Sequence, residues 1–130
     1  MKHLGTAIKH VKDRDPQLAA HLAAVIVRGG KIISVGRNKS KMHVYTTYVA
    51  HHQNVASTHA EIDAIFRARK KIDLTGADMY VARVLRNGTC AMAAPCEMCQ
   101  KVIRRYGIRR VFYTKENGYG FISFVGHDAV

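Results

Sequence analysis

Two short stretches of the chain combine residue types that can hold a metal ion and move a proton. They are His59-Ala60-Glu61 and Pro95-Cys96-Glu97-Met98-Cys99. Imidazole and thiolate are zinc ligands, and one histidine with two cysteines leaves the fourth tetrahedral position open for water. A carboxylate two residues from the histidine can reach that water without ligating the metal. These residues therefore indicate a catalytic zinc site, with Glu61 as the proton carrier.

Other interpretations of these residues stay open. A structural zinc site would need a fourth protein ligand and would leave Glu61 without a role. A redox dithiol would leave His59-Ala60-Glu61 unexplained. The chain has three cysteines, and this odd number favours a metal or redox site over a disulfide framework. The third, Cys90, is expected to be a small half-buried residue, with a reactive thiol near the pocket as the alternative.

Hydrophobic periodicity predicts that each stretch begins a helix. The first helix covers residues 59–72, and the second covers residues 96–106, with Pro95 suited to its start. Cys96 and Cys99 share a face in the first turn of the second helix. If both helices pack side by side on a sheet, their N-termini point at one region, and the dipoles there favour thiolate.

The rest of the chain predicts the sheet that positions these helices. A Gly29-Gly30 turn joins two strands in a hairpin, and the last two strands should pair antiparallel because their link is too short for a parallel crossover. The order α-β-β-α-β-α-β-β indicates a layered α/β fold. The predicted elements are a basic helix over 2–13, strands over 22–27, 31–37, 77–85, 109–114 and 121–125, a loop over 87–94 and a turn over 115–120.

Composition indicates one domain covering residues 1–130, since 130 residues at 48% hydrophobic content suffice for a core. No apolar run is long enough to span a bilayer, so a membrane role is not expected. No secretory signal is recognisable, which predicts a cytoplasmic protein. The net charge of +12 favours anionic partners such as nucleotides or nucleic acid, although it also serves solubility.

The pairing of H-A-E with P-C-x-x-C resembles the zinc-dependent cytidine deaminase-like superfamily. The resemblance runs from about residue 20 to the C-terminus. It implies a three-layer α-β-α fold with a mixed five-stranded sheet and a C-terminal antiparallel hairpin. It also implies that His59, Cys96 and Cys99 hold Zn²⁺ while Glu61 catalyses hydrolytic deamination of a cytosine-type base, by attack of water at C4.

The same resemblance suggests substrate contacts. Gly36-Arg37-Asn38 matches a G-x-N pattern whose Asn meets the substrate's sugar in the family, so Asn38 is the predicted ribose contact; a role in the turn after the strand is the alternative. A small residue on the first strand, Ala24 or its neighbour Ala23, would lie near the base. The backbone near Ala60 and Pro95 would grip the base.

The substrate itself is left open by the sequence. HAEIDAI resembles the deoxycytidylate and tRNA-adenosine deaminase branches, whereas the short C-terminal hairpin resembles the cytidine deaminase branch. A small-molecule nucleoside or nucleotide is expected, and cytosine or adenine within single-stranded nucleic acid is the alternative. A non-catalytic zinc-stabilised binding module is a further alternative. A homo-oligomer is expected from the resemblance.

Several residues have two open interpretations. Residues 38–57 are predicted to form a long loop in which Tyr45 and Tyr48 could stack on bases or cover the domain's own surface. His51 and His52 are expected to be exposed there, with contact to the substrate or to a phosphate as the alternative. The basic runs 67–71 and 104–105 are expected to be solvated helix faces, with a nucleic-acid track as the alternative.

Overall fold

The computed structural model describes residues 1–11, 21–38 and 59–124. None of the helices in these ranges has the length and apolar composition needed to cross a membrane. The helices are α1 (Lys2–His10), α2 (Ala60–Ala68) and α3 (Glu97–Arg105), and the strands are β1 (Leu22–Arg28), β2 (Lys31–Arg37), β3 (Asp78–Val84), β4 (Cys90–Ala91), β5 (Arg110–Lys115) and β6 (Gly118–Ser123).

The strands form one mixed sheet in the order β2-β1-β3-β5-β6, with β4 paired to β3. β3 and β5 run parallel, whereas β5 and β6 form the predicted antiparallel C-terminal hairpin. The five long strands confirm the predicted mixed sheet. β4 corrects the prediction of a loop over 87–94, because Cys90 and Ala91 pair with the end of β3, and the Ala91 carbonyl accepts a hydrogen bond from the Thr114 hydroxyl.

Helices cover both faces of the sheet, which confirms the three-layer α-β-α architecture. In β1, Ala23, Val25 and Val27 belong to a buried cluster shared with α1, which we call the α1-side core. Ala24 and Ile26 face the other way and belong to a larger cluster shared with α2 and α3, the α2/α3-side core. The two-residue periodicity of strands produces this division.

Some predicted boundaries were wrong. The helix predicted to reach residue 72 ends at Ala68, because Arg69–Lys71 are exposed and bury no apolar surface that would hold a further turn against the sheet. β6 begins at Gly118, not at residue 121, because Tyr119 and Gly120 pair with β5 across a two-residue turn. α1 ends at His10, and the predicted end at residue 13 lies outside the described residues.

α2 lies unusually close to β2, and Gly36 makes this approach possible. A Cβ atom at Gly36 would lie 2.3 Å from the Ala64 backbone nitrogen and 2.5 Å from the Ala60 carbonyl oxygen. Two hydrogen bonds fix the same contact: the Ser34 hydroxyl donates to the Ala64 carbonyl over 2.7 Å, and the Arg37 backbone N–H donates to Asp63 over 3.0 Å. The strand therefore sets the position of the helix that follows His59.

Candidate metal centre and active site

The N-termini of α2 and α3 place the three predicted metal ligands at one point. His59 is the N-cap residue of α2, and Cys96 is the N-cap residue of α3. Cys99 lies one turn further along α3 and is fully buried. Neither N-cap side chain forms a capping hydrogen bond, so both are available to the site.

The distances between the ligand atoms suit a tetrahedral zinc ion. His59 Nδ1 lies 3.1 Å from Cys99 Sγ and 3.7 Å from Cys96 Sγ, and the three ligand atoms lie within 4.8 Å of one another. Zn–N and Zn–S bonds at tetrahedral angles require ligand separations of roughly 3.5–3.8 Å. The two nitrogen–sulfur distances therefore differ from the tetrahedral values by less than about half an ångström.

One sulfur of the metal-free cluster is already in the form that binds zinc. A hydrogen bond from the Cys99 thiol, together with His59, lowers the pKa of Cys96 to about 4 despite its partial burial. The same hydrogen bond and burial raise the pKa of Cys99. The hydrogen bond with Cys96 raises the pKa of His59. The cluster thus carries a thiolate before any metal arrives, and thiolate is the form that binds zinc.

Glu61 lies beside this cluster and is almost completely buried, with 3% of its surface exposed. Burial raises the pKa of its carboxyl, although a hydrogen bond to its own backbone and the charge of His59 oppose the shift. A raised pKa makes a carboxyl a stronger proton acceptor than an ordinary carboxylate, and the proton that it accepts can be returned to the substrate. That property is required of the predicted proton carrier.

A cavity of about 300 Å³ opens in front of these groups. This volume lies at the small end of the range for small-molecule sites. His59, Glu61 and Cys96 form part of its wall, so any ligand inside it would contact both the metal-ligand cluster and the buried carboxyl. The lining residues are Leu22, Asn38, His59, Ala60, Glu61, Arg83, Met92, Ala93, Ala94 and Cys96.

A family model for the cytidine and deoxycytidylate deaminase zinc-binding region matches residues 1–115. The chain belongs to this family. The family's zinc-binding character and the ligand geometry together identify Zn²⁺ as the cofactor. No curated protein sequence matches the chain.

Solved deaminase structures share the fold. The cytidine deaminase from Burkholderia pseudomallei is 20% identical, with 92% of this chain and 91% of that chain covered and a TM-score of 0.61. The dCMP deaminase from the cyanophage S-TIM5, in complex with dCMP and dUMP, is 18% identical, with 86% and 77% covered and a TM-score of 0.59. A Thermotoga maritima diaminohydroxyphosphoribosylaminopyrimidine deaminase/reductase is 27% identical, with 89% of this chain but 29% of that chain covered and a TM-score of 0.55.

The predicted substrate contacts of this family member lie at different depths. Asn38 and Ala60 line the cavity. Asn38 Oδ1 also accepts a hydrogen bond from the Leu22 backbone N–H over 2.8 Å. The side chain therefore links the residue after β2 to the first residue of β1. Ala24 is fully buried in the α2/α3-side core, and Leu22, two residues earlier on the same face, reaches the cavity instead. The Pro95 carbonyl accepts a hydrogen bond from the Gln100 side chain. These four contacts stay predictions.

Sequence reasoning missed half of the cavity wall, namely Leu22, Arg83, Met92, Ala93 and Ala94. A signal for Arg83 existed in the pattern ADMYVARVL, where an arginine occupies the inward-facing position that Met79 and Val81 occupy earlier in the strand. Met92 is 51% exposed and belongs to the predicted loop, so no periodicity marks it. Of the other predicted residues, Tyr45, Tyr48, His51 and His52 lie outside the described residues.

Cys90 faces away from the metal-ligand cluster. It is half-buried and packs against the α1-side core, whereas Cys99 belongs to the α2/α3-side core. This position agrees with the expectation of a small half-buried residue. Cys90 is therefore suited to serve as a control for the two ligand cysteines.

Proposed function

We propose that the protein hydrolytically deaminates a cytosine-type base in a nucleoside or nucleotide, giving the uracil product and ammonia. The observation that carries the proposal is the buried Glu61 carboxyl in the wall of a cavity that also contains the His59 and Cys96 metal-binding side chains. The ligand chemistry of the S-TIM5 dCMP deaminase, which is solved with dCMP and dUMP, supports the inclusion of nucleotides.

Each group has a defined task in this reaction. His59, Cys96 and Cys99 hold the ion. When bound, zinc supplies the Lewis acidity that makes water a usable nucleophile near neutral pH. Glu61 accepts a proton from the water that attacks C4, delivers it to N3 of the ring, and then assists the departure of ammonia. Leu22 and Ala60 offer an apolar wall for the base, which excludes bulk water from the reacting atoms.

A Glu61→Gln variant tests this assignment. Gln keeps the size of the side chain but cannot carry the proton, so turnover should fall by about 100- to 10,000-fold while bound zinc stays at one ion per chain. The measurements are product formation by mass spectrometry, with cytidine, deoxycytidine and their monophosphates, and zinc content by atomic emission.

The matched control is Glu97→Gln. Glu97 lies between the two ligand cysteines in sequence, but its side chain is 84% exposed and pairs with Lys101 on the outside of α3. Its removal should leave turnover within about two-fold, as expected for an exposed ion pair. A Glu61→Gln protein that retains zinc and full turnover would remove Glu61 from the mechanism.

A deaminase that acts within a single strand is the second candidate. The net charge of +12 favours a polyanion, and β6 exposes two aromatic side chains, Tyr119 at 54% and Phe121 at 57%. Such rings can stack on unpaired bases. Binding of a cytosine-containing oligonucleotide with steep salt dependence, together with conversion only within the strand, would favour this candidate over the first.

A further inference from the structure

Arg83 brings a guanidinium to the face of the sheet that carries the metal-ligand cluster. It is the sixth residue of β3 and lies opposite Leu22 of β1 and Ala91 of β4. Met79 and Val81, at alternate positions earlier in the same strand, belong to the α2/α3-side core. Side chains two residues apart in a strand share a face, so Arg83 continues this row and reaches the cavity, whose wall it helps to form.

Arg83 is half-buried, and part of the hydrogen-bonding capacity of its guanidinium is unused. Its Nε–H is inaccessible to solvent and has no hydrogen-bond acceptor among the described residues. Most buried polar groups in proteins have a partner, and a buried N–H without one is costly. Guanidinium is also a planar fork that matches the oxygens of phosphate or carboxylate. The Nε–H itself is closed off from solvent, but Arg83 forms part of the cavity wall, so an anion bound in the cavity would lie beside its positive charge.

Two described acids near β3, Asp78 and Asp63, bind other groups, and we assign Glu61, which shares the cavity wall with Arg83, to proton transfer at the base. Asp78, at the opposite end of β3, binds both Arg109 and Arg110. Asp63 binds the Arg67 side chain and the Arg37 backbone. The whole chain has 21 Lys and Arg against 9 Asp and Glu, so cations outnumber the acids that could neutralise them. An external anion fits Arg83 better than an internal carboxylate does.

We propose that Arg83 binds the phosphate group on the 5′ side of the target nucleoside and thereby makes the protein selective for phosphorylated cytosine substrates. This inference rests on the proposed function. It makes Arg83 a specificity-determining residue: with the base at the Glu61 side of the cavity, the phosphate contacts the Arg83 side. The phosphate can belong to a free nucleotide or to a strand, and the experiment separates the two.

The test compares zinc-loaded wild-type protein with Arg83→Gln, Arg83→Lys and Arg86→Gln. Kinetics are measured on deoxycytidine, dCMP and a single-stranded oligonucleotide with one cytosine. Arg86 is the matched control, because it is exposed in the turn after β3 and its substitution removes the same charge three residues away without touching the cavity wall. Binding of deoxycytidine and dCMP to each protein is measured by calorimetry in parallel.

The expected result is a loss confined to phosphorylated substrates. Arg83→Gln should lower kcat/KM for dCMP by roughly 10- to 100-fold, the value of one charge-assisted hydrogen-bonded contact, and should leave deoxycytidine within two-fold. Arg83→Lys should recover part of this loss, because it restores the charge but not the fork. Arg86→Gln should resemble the wild type on both substrates. Loss of activity on the oligonucleotide, without loss on dCMP, would assign the phosphate to a strand.

Equal loss on deoxycytidine and dCMP, or no loss on any of the three substrates, would overturn the proposal. If Arg83→Gln does not fold, the wild type still decides: the proposal would also be overturned if deoxycytidine and dCMP bind with equal affinity and the oligonucleotide is converted no faster than deoxycytidine. If wild-type protein deaminates none of the substrates, the proposed function fails. In that case, tighter calorimetric binding of dCMP than of deoxycytidine, lost in Arg83→Gln, would still establish the phosphate contact.

Discussion

The two cysteines of the metal-ligand cluster differ in exposure although they are only three residues apart. Cys96 is exposed towards the cavity, whereas Cys99 is fully buried. If Cys99 is substituted, bulk water cannot take its place as a ligand unless the α2/α3-side core opens. Cys99 is therefore the ligand whose loss should be hardest to compensate.

We expect Cys99→Ser to weaken zinc binding by more than about 100-fold, since even loss of a partner outside the coordination shell costs 10- to 100-fold. Competition with a chromophoric chelator measures the affinity. Cys90→Ser is the control, because Cys90 lies on the opposite face of the sheet, and its zinc affinity should match the wild type. Unchanged affinity in Cys99→Ser would exclude this ligand set.

The metal ligands could be predicted from the sequence, whereas the cavity wall could not. Residue type and the spacing within each short motif define His59, Cys96 and Cys99, because each motif can be recognised without knowledge of the fold. The neighbours of the base depend on where each strand lies relative to the cavity. Leu22 and Ala24 share a face of β1, but Leu22 lines the cavity and Ala24 lies in the core. Periodicity alone does not fix that register.

At the scale of elements, the contact between β2 and α2 determines where the active-site helix begins. The sequence motif Gly36-Arg37-Asn38 predicted a substrate contact for its asparagine but gave no role to its glycine. The structure supplies one, since the Ala64 backbone nitrogen lies where a Cβ of residue 36 would be. A backbone-to-backbone approach of this kind becomes apparent only when both elements are placed.

Gly36→Ala should therefore destabilise the protein by roughly 3 kcal/mol, because the methyl group has no space and α2 must shift. The same shift moves His59 and Glu61, so kcat should fall as well. Chemical denaturation measures the free energy of unfolding, and steady-state kinetics measure kcat.

Gly5→Ala provides the control for this substitution. Gly5 lies inside α1, and a methyl group added there would meet no atom within 4 Å beyond the backbone of its own helix. Alanine at this position should therefore raise stability by about 0.5–1 kcal/mol through helix propensity. If Gly36→Ala proves as stable as Gly5→Ala, the close approach does not hold α2 in place.

At the scale of the whole molecule, Cys99 is the one metal ligand that belongs to either hydrophobic core. Each face of the sheet buries its own set of apolar side chains. The sequence predicted this layered arrangement from the order of its elements, and missed the ends of α2 and β6, where packing and pairing rather than propensity set the boundary. A protein with such cores should stay folded without zinc.

Free zinc at about a thousand times its Kd should stabilise the folded protein by about 4 kcal/mol. We therefore expect removal of zinc with a chelator to lower the melting temperature by roughly 10 °C or more. Circular dichroism at 25 °C should still show the folded state. A chelated protein that is unfolded at 25 °C would instead support the alternative of a zinc-stabilised binding module. Glu61→Gln serves as the control, because its zinc-dependent shift should match the wild type.

The ligands come from distant parts of the chain. His59 precedes β3 and Cys96 follows β3, and the two residues are 37 positions apart. Bound zinc therefore closes α2, β3 and β4 into a ring, in the manner of a reversible cross-link. By the loop-entropy relation used for disulfides, an unfolded chain that kept the ion on these ligands would be destabilised by about 4 kcal/mol. The spacing between H-A-E and P-C-x-x-C thus has a polymer-physics consequence: it sets the entropic cost that opposes zinc binding to the unfolded chain.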